Sequence, residues 1–331
     1  LGAGLLLSPG RRSGATGGIL ERRSVAERIR LSALVATRML RAGASRLATH
    51  PLLRWRFTPS KTDRLVIAPQ DWRAADATRA TEIYAGRFAF AGKVVVCDQR
   101  SPFEMTAPSE EWASILHGFG WLRHLRAGES AITRANARAL IDDWIMLQGS
   151  GNGIAWRPDV LSRRAISWMS QAPLVLTETD ARFYRRFLRS LTRQVRYLRA
   201  VFKETRDGQP RLQAAIALAY AALCMQGEMK QLRNAVRRLS DELDRQILPD
   251  GGHVSRNPGA LVDIMLDLLP LRQAFYARQL PVPKSLSNAI DRMMPMLRFF
   301  RHGDGKTALF NGMGPTAADL NATVLAYDDA R

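Results

Sequence analysis

The run Leu248-Pro249-Asp250-Gly251-Gly252-His253-Val254-Ser255-Arg256-Asn257-Pro258-Gly259 gathers an imidazole, a guanidinium and a carboxamide in one turn-rich loop between two helical patterns. Core packing asks for none of these groups there, and loops on a rigid scaffold are where chemistry is displayed. His253 is the loop side chain that moves a proton near neutral pH, and Arg256 and Asn257 add hydrogen-bond donors. Upstream, Trp156-Arg157-Pro158-Asp159 leads into Arg163, Arg164, Ser167 and Trp168. An indole beside arginines suits a sugar ring bearing carboxylates: its apolar face stacks, and each guanidinium fork binds two oxygens. The alternative reading makes Trp168 core, the arginines a solvated surface and His253 a structural residue bonded to its own loop.

These residues need a scaffold, and the pattern from Pro108 onward is helical. Ser109 with Glu110 and Glu111 opens a helix through Leu125. Further helices are expected at about 130–147, 158–175, 179–204, 210–226, 228–248, 259–279 and 284–301. Short Gly-, Pro- and Asp-rich connections make these antiparallel hairpins, and no fixed-period repeat marks a solenoid. The helix at 210–226 is apolar nearly all round, so it is expected inside. The one at 179–204 carries arginines at 182, 185, 186, 189, 193, 196 and 199 and is expected outside. Nested inner and outer helices describe an (α/α) toroid. Before it, Asp63–Pro69 reads as a strand, and the alternation over Ile83–Asp98 reads as a β-hairpin turning at Phe90-Ala91-Gly92-Lys93. The fold expected is thus mainly α, an incomplete (α/α) toroid of helical hairpins with a small N-terminal β-hairpin element. It divides into a basic leader (1–62), a small β element (63–105), a toroid domain (106–302) and a closing segment (303–331).

Composition narrows the partners. The chain of 331 residues carries 49 Lys and Arg against 30 Asp and Glu, a formal charge of +19. Such an excess attracts a polyanion: nucleic acid, anionic lipid or acidic polysaccharide. Residues 1–64 hold 13 of the basic residues and only Glu21, Glu27 and Asp63 as acids, so about half of the excess sits in the leader. Its Glu21–Arg46 stretch has the spacing of a basic amphipathic helix that caps the domain or makes peripheral membrane contact. The first residue is Leu, and Leu1–Leu7 is too short for a signal core, so no clear signal peptide is present. No apolar run reaches the roughly 20 residues that a spanning helix requires. No nucleic-acid motif accompanies the charge, so nucleic acid is not an expected partner. Cys97 and Cys224 suggest no structural disulfide. No metal and no cofactor are expected. His117 and His124 share a helical face but lie two turns apart, and no zinc motif contains them.

The order and spacing of Trp156-x-Pro158, Arg163 or Arg164, Ser167-Trp168 and the Gly251-Gly252 loop resemble the heparinase II/III family over roughly residues 84–315. These bacterial polysaccharide lyases join an N-terminal α/α toroid to a C-terminal β-sandwich. The resemblance implies β-elimination on an acidic, uronate-containing polysaccharide and a periplasmic location. The missing signal peptide leaves a cytoplasmic one open. It also makes Gly303-Asp304-Gly305 and Leu309-Phe310-Asn311-Gly312 the passage out of the toroid, with 303–331 a linker toward a missing β-sandwich. In such a reaction a base removes the C5 proton while the uronate carboxylate is neutralised. His253, Asn257 and Arg211 are then the catalytic candidates, and Trp156, Arg157, Arg163, Arg164, Trp168 and Arg256 the substrate-binding ones. Two departures stand out. Pro210-Arg211 occupies the place of the family's Asn or Asn-His, and Ala260 falls where its acid-base Tyr belongs. They favour the alternative of a non-catalytic glycan-binding or exopolysaccharide-assembly protein, with this chain alone inactive.

Overall fold

Apolar spacing at three and four residues, with side-chain caps from Asp76, Ser109, Ser130, Asp180 and Asn257, builds an array of helices that follows the sequence pattern closely. A computed structural model describes residues 64–329 except 129, 150–152, 228 and 315–317, together with helical positions between Glu27 and Met39. Residues 1–50 and 51–331 form two compact units. Most of the leader, and the Ser150-Gly151-Asn152 part of the Gly-rich loop, lie outside the described residues. In the first unit Ile29, Val35 and Met39 are helical and exposed.

The second unit begins with α1 (Ala77–Tyr84), capped by Asp76, and the hairpin β1 (Arg87–Phe90) and β2 (Lys93–Val96), paired from Arg87 with Val96 to Phe90 with Lys93. Two expectations are corrected here. Ile83 and Tyr84 end a helix instead of opening the hairpin, because the Asp76 side chain accepts from Thr78 and Arg79 N–H and starts a helical turn. The expected strand at 63–69 is only an isolated bridge from Leu65 to Met225.

The helices continue with α2 (Glu110–Gly118), α3 (Leu122–Arg126), α4 (Ala131–Gln148), α5 (Pro158–Ser170), α6 (Ala172–Leu176) and α7 (Ala181–Val201). There follow α8 (Gln209–Cys224), α9 (Met229–Gln246), α10 (Pro258–Ala277), α11 (Lys284–Phe299) and α12 (Ala318–Asp329). The single helix expected over 109–125 is broken at Phe119, whose left-handed backbone (φ 55°) ends α2. That unfavourable conformation for a bulky residue is held by packing: the Phe119 ring stacks on Trp121 at 5.0 Å and meets Trp168 edge-on at 5.5 Å. The segment after residue 303 is not all linker, because α12 buries Val324 and Leu325.

Packing sorts the helices into two rows. The inner row runs α2, α5, α8, α10, each against the next. Outside it α4 packs on α7 and α9 packs on α11, while α7 and α9 also lie against α8. Composition explains the sorting. α8 and α10 are apolar on nearly every side and almost wholly buried, whereas α7 and α9 are strongly one-sided, with arginines outward. This nested double row is the architecture of an (α/α) toroid. No described helix is long and apolar enough to cross a membrane.

Candidate functional site

A cavity of about 500 Å³ opens against the inner row, and all four of its helices contribute to the wall. The positions involved are polar residues four apart on otherwise apolar helices: Asp159 and Arg163 on α5, Gln209 and Gln213 on α8, Asp263 and Asp267 on α10. Four-residue spacing puts each pair on one face, one turn apart. Arg73, from the segment before α1, Arg123, on α3, and Glu111 and Ser114, on α2, add to the polar lining.

Asp267 is the hub. It is 3% exposed, and the Arg163 fork meets both of its oxygens, Nη1 to Oδ1 at 2.9 Å and Nη2 to Oδ2 at 2.7 Å. Arg73 Nη1 donates to Oδ1 at 2.9 Å, and its Nη2 reaches the Asp263 carbonyl at 3.3 Å. With its amide oxygen facing Arg163, Gln213 accepts from Nε at 3.0 Å and from Nη2 at 2.7 Å. Burial alone would raise the Asp267 carboxyl, but the Arg163 and Arg73 guanidiniums outweigh it and hold the group below its ordinary range. Tyr220 Oη donates to the Asp267 carbonyl at 2.7 Å, and burial raises the phenol well above its usual value. Asp263 lies among protein groups yet keeps its side chain open to the lumen, and partial desolvation raises its carboxyl. Arg123 gives Nε to the Ala74 carbonyl at 3.1 Å and Nη1 to the Gly120 carbonyl. Burial, with the neighbouring Arg73, Arg163 and Arg79, lowers it to about 10 against the pull of Asp71.

Of the residues that the sequence assigns to catalysis or substrate binding, Arg163 lines this cavity and the other eight do not; Asp159, Ser167 and His124, which the sequence also picks out, line it as well. Trp156 is 4% exposed, donates to the Gln148 carbonyl at 2.8 Å and meets Tyr197 edge-on, so its faces are covered and unavailable to a sugar. Trp168 is fully buried and stacks on Phe187 at 5.1 Å. Arg164 is enclosed as well. Its guanidinium lies 4.0 Å from the Trp144 ring and donates to the His117 and Ala155 carbonyls and to Gln194 Oε1. Burial pushes it well below its ordinary value. Arg157 is tied to Asp159 and Glu110. Arg211 donates twice to the Thr205 carbonyl, at 3.0 and 2.7 Å.

The polar loop before α10 is closed on itself. His253 is 2% exposed, with Nδ1 2.8 Å from Ser255 Oγ and Nε2 3.0 Å from Gln246 Oε1, and burial lowers its pKa. Asn257 caps α10, accepting from Gly259 N–H at 2.8 Å and Ala260 N–H at 3.3 Å. Arg256 pairs with Asp250 at 2.5 Å. Gly251 is required where it stands: its φ is 84°, and a Cβ would fall 1.9 Å from the Arg292 carbonyl oxygen. The two histidines on the α2–α3 segment do not act together either. His117 Nδ1 accepts from Trp144 Nε1 at 3.2 Å, and His124 Nδ1 accepts from Asp76 N–H at 3.0 Å. Among the described residues no cluster of three His, Cys, Asp or Glu suits a metal ion.

Sequence reasoning missed Arg73, Arg123, Gln213, Tyr220, Asp263 and Asp267. The signal was present in part: two carboxylates four apart in a helix as apolar as α10 must face either a partner or a cavity.

A nested helical ring around a polar cavity defines a toroid of the polysaccharide-lyase type. A profile of the heparinase II/III N-terminus matches residues 128–324, more than half of the chain. The chain belongs to the heparinase II/III family. It is 33% identical over 274 residues to the FtsZ-localized protein C of Caulobacter vibrioides, covering 82% of this chain and 47% of that protein. The fold is similar to the heparan sulfate lyase HepC of Pedobacter heparinus, with a TM-score of 0.58 at 18% identity, over 73% of this chain and 43% of that one. It is also similar to a crystal structure of heparinase III, with a TM-score of 0.57 at 17% identity, over 84% and 48%. At these identities the solved structures speak for the fold alone. The chain spans about half the length of the proteins it matches.

Proposed function

We propose that this chain is a glycan-binding toroid that holds a polysaccharide segment in the inner-row cavity without cleaving it. One observation carries the reading: the imidazoles and the phenol that would move a proton are engaged by the scaffold, and the open carboxylates Asp263 and Glu111 have, among the described residues, no free cation beside them to neutralise a uronate. His253 is locked between Gln246 and Ser255, His124 accepts a backbone N–H and is lowered to about 4 by burial and nearby arginines, and Tyr220 donates to a helix carbonyl. Elimination needs a base aimed at a weakly acidic C–H beside a neutralised carboxylate. Arg163 and Arg73, the cations best placed to neutralise one, are already bound to Asp267. The relative in Caulobacter is named for where it localises, which agrees with binding more than with turnover.

A second reading, β-elimination on an acidic polysaccharide, draws on the fold similarity to a heparan sulfate lyase. The test uses the purified chain with heparan sulfate, hyaluronan, alginate and neutral polysaccharides. Binding is followed by calorimetry and cleavage by the ultraviolet absorbance of the unsaturated uronate. Binding without absorbance is expected. Product formation that disappears in Tyr220→Phe would establish the lyase reading instead.

A further inference from the structure

We infer that the cavity selects an uncharged glycan over a uronate- or sulfate-bearing one. The inference rests on the reading of the cavity as a glycan site. Its starting point is a mismatch between the chain and its cavity. The chain carries +19, yet the described residues lining the cavity include four arginines (73, 79, 123 and 163) against Asp71, Glu111, Asp159, Asp263 and Asp267. The excess positive charge lies elsewhere.

Three of these four arginines are also spent on the protein, and the fourth, Arg79, is 55% exposed and lies 3.8 Å from Asp76. Arg163 has its fork on Asp267 and its remaining edge on Gln213, Arg73 shares Asp267, and Arg123 donates to two carbonyls. Asp267 therefore sits where a ligand carboxylate would have to bind to reach Arg163 or Arg73. A uronate would need to displace a buried, doubly paired side chain from the same helix wall, and charge-assisted contacts of that kind are the costly ones to break. It would also approach Asp263 and Glu111, whose side chains are open, and like charges brought together discriminate strongly against the wrong partner.

An uncharged sugar meets the opposite conditions. Ionised carboxylates are pure acceptors, so Asp263 and Glu111 suit hydroxyl donors. Gln209 and Ser114 add groups of either sense, and the exposed Ile115 offers an apolar surface for a ring face. None of these contacts requires the Asp267 network to open.

The experiment measures binding of the intact chain to neutral hexasaccharides, β-linked glucose and N-acetylglucosamine, and to hexasaccharides of heparan sulfate and alginate, at fixed salt. The neutral ligands should bind at least about tenfold more tightly. Asp263→Asn combined with Glu111→Gln removes two lumen-facing charges at open positions and should shrink that preference by about tenfold, mainly by improving uronate binding. The single Asp263→Asn should move it in the same direction, which keeps the test in force should the double variant fold poorly. Equal or tighter uronate binding by the natural chain overturns the inference, and so does a preference that neither variant changes. Absence of binding to every oligosaccharide is a different result: it overturns the glycan reading itself.

Discussion

The loop at 246–259 and the inner-row cavity contain the same kinds of groups, guanidinium, carboxylate and amide, and use them for opposite purposes. In the loop each polar side chain satisfies its own neighbourhood. Asp250 accepts from Gly252 N–H at 2.9 Å and from Arg256, Ser255 and Gln246 hold His253, and Asn257 caps the helix that follows. The polar groups there solve the problem of turning a chain from an outer helix into a buried one while pairing most of the loop's backbone donors. In the cavity the partners come from four helices and a preceding segment, across sequence separations of 104 for Arg163 with Asp267 and 194 for Arg73 with Asp267. A polar cluster contiguous in sequence is cheap to satisfy locally. One assembled from distant helices persists beside a cavity that the ring geometry makes unavoidable.

Breaking the hub gives the largest effect expected. Asp267→Ala leaves two guanidiniums without their buried carboxylate, and the loss should be about 3–5 kcal/mol of unfolding free energy. Urea denaturation of the variant measures it, and a change below about 1 kcal/mol would show that the cavity network is no more consequential than the exposed loop pair. Next comes pH. His124, 5% exposed, is lowered from 6.5 to about 4, burial being the main cause. The unfolded chain therefore takes up the proton first. Stability from this group is intact above pH 6.5 and is lost as pH falls from 6.5 toward 4, by up to about 3 kcal/mol. His117, also lowered to about 4, adds in the same direction. Urea midpoints at about pH 7.5 and about pH 4.5 should therefore differ clearly, and His124→Asn, which keeps an acceptor for Asp76 N–H, should reduce the difference.

Element type was legible in the sequence wherever periodicity was long. The apolar α8 and the one-sided α7 are inside and outside as their patterns require, and the hairpin turns at Ala91-Gly92, both at positive φ. The break at Phe119 was not legible, because tertiary stacking overrides local preference there. Site residues were legible only where one helix told the story by itself. Arg163 could be named from α5, but its carboxylate partner could not, since nothing local to Asp267 announces which arginines reach it. Trp156 and Trp168 misled for a physical reason: an indole has the same composition whether its face is open or covered, and only packing decides.

Smaller effects sharpen the comparison from the loop side. Asn257→Ala removes the acceptor for two N–H groups at the start of α10 and should cost about 1 kcal/mol, with no change at the cavity beyond a slightly looser first turn. Denaturation of this variant, with glycan affinity measured in parallel, checks both parts.

Arg256→Ala is the mildest case and the most discriminating. The sequence alone makes Arg256 a substrate-binding residue, yet it is 46% exposed and paired with an equally exposed Asp250. Exposed pairs of this kind contribute about 0–1 kcal/mol, because water screens them and the long side chain loses freedom on pairing. Stability should therefore hardly move. Glycan affinity should stay within about twofold of the unsubstituted chain, since Arg256 is absent from the described cavity wall. A large loss of affinity with unchanged stability would place the loop in the binding surface, and the contrast between a self-satisfied loop and a ligand-facing ring would have to be abandoned.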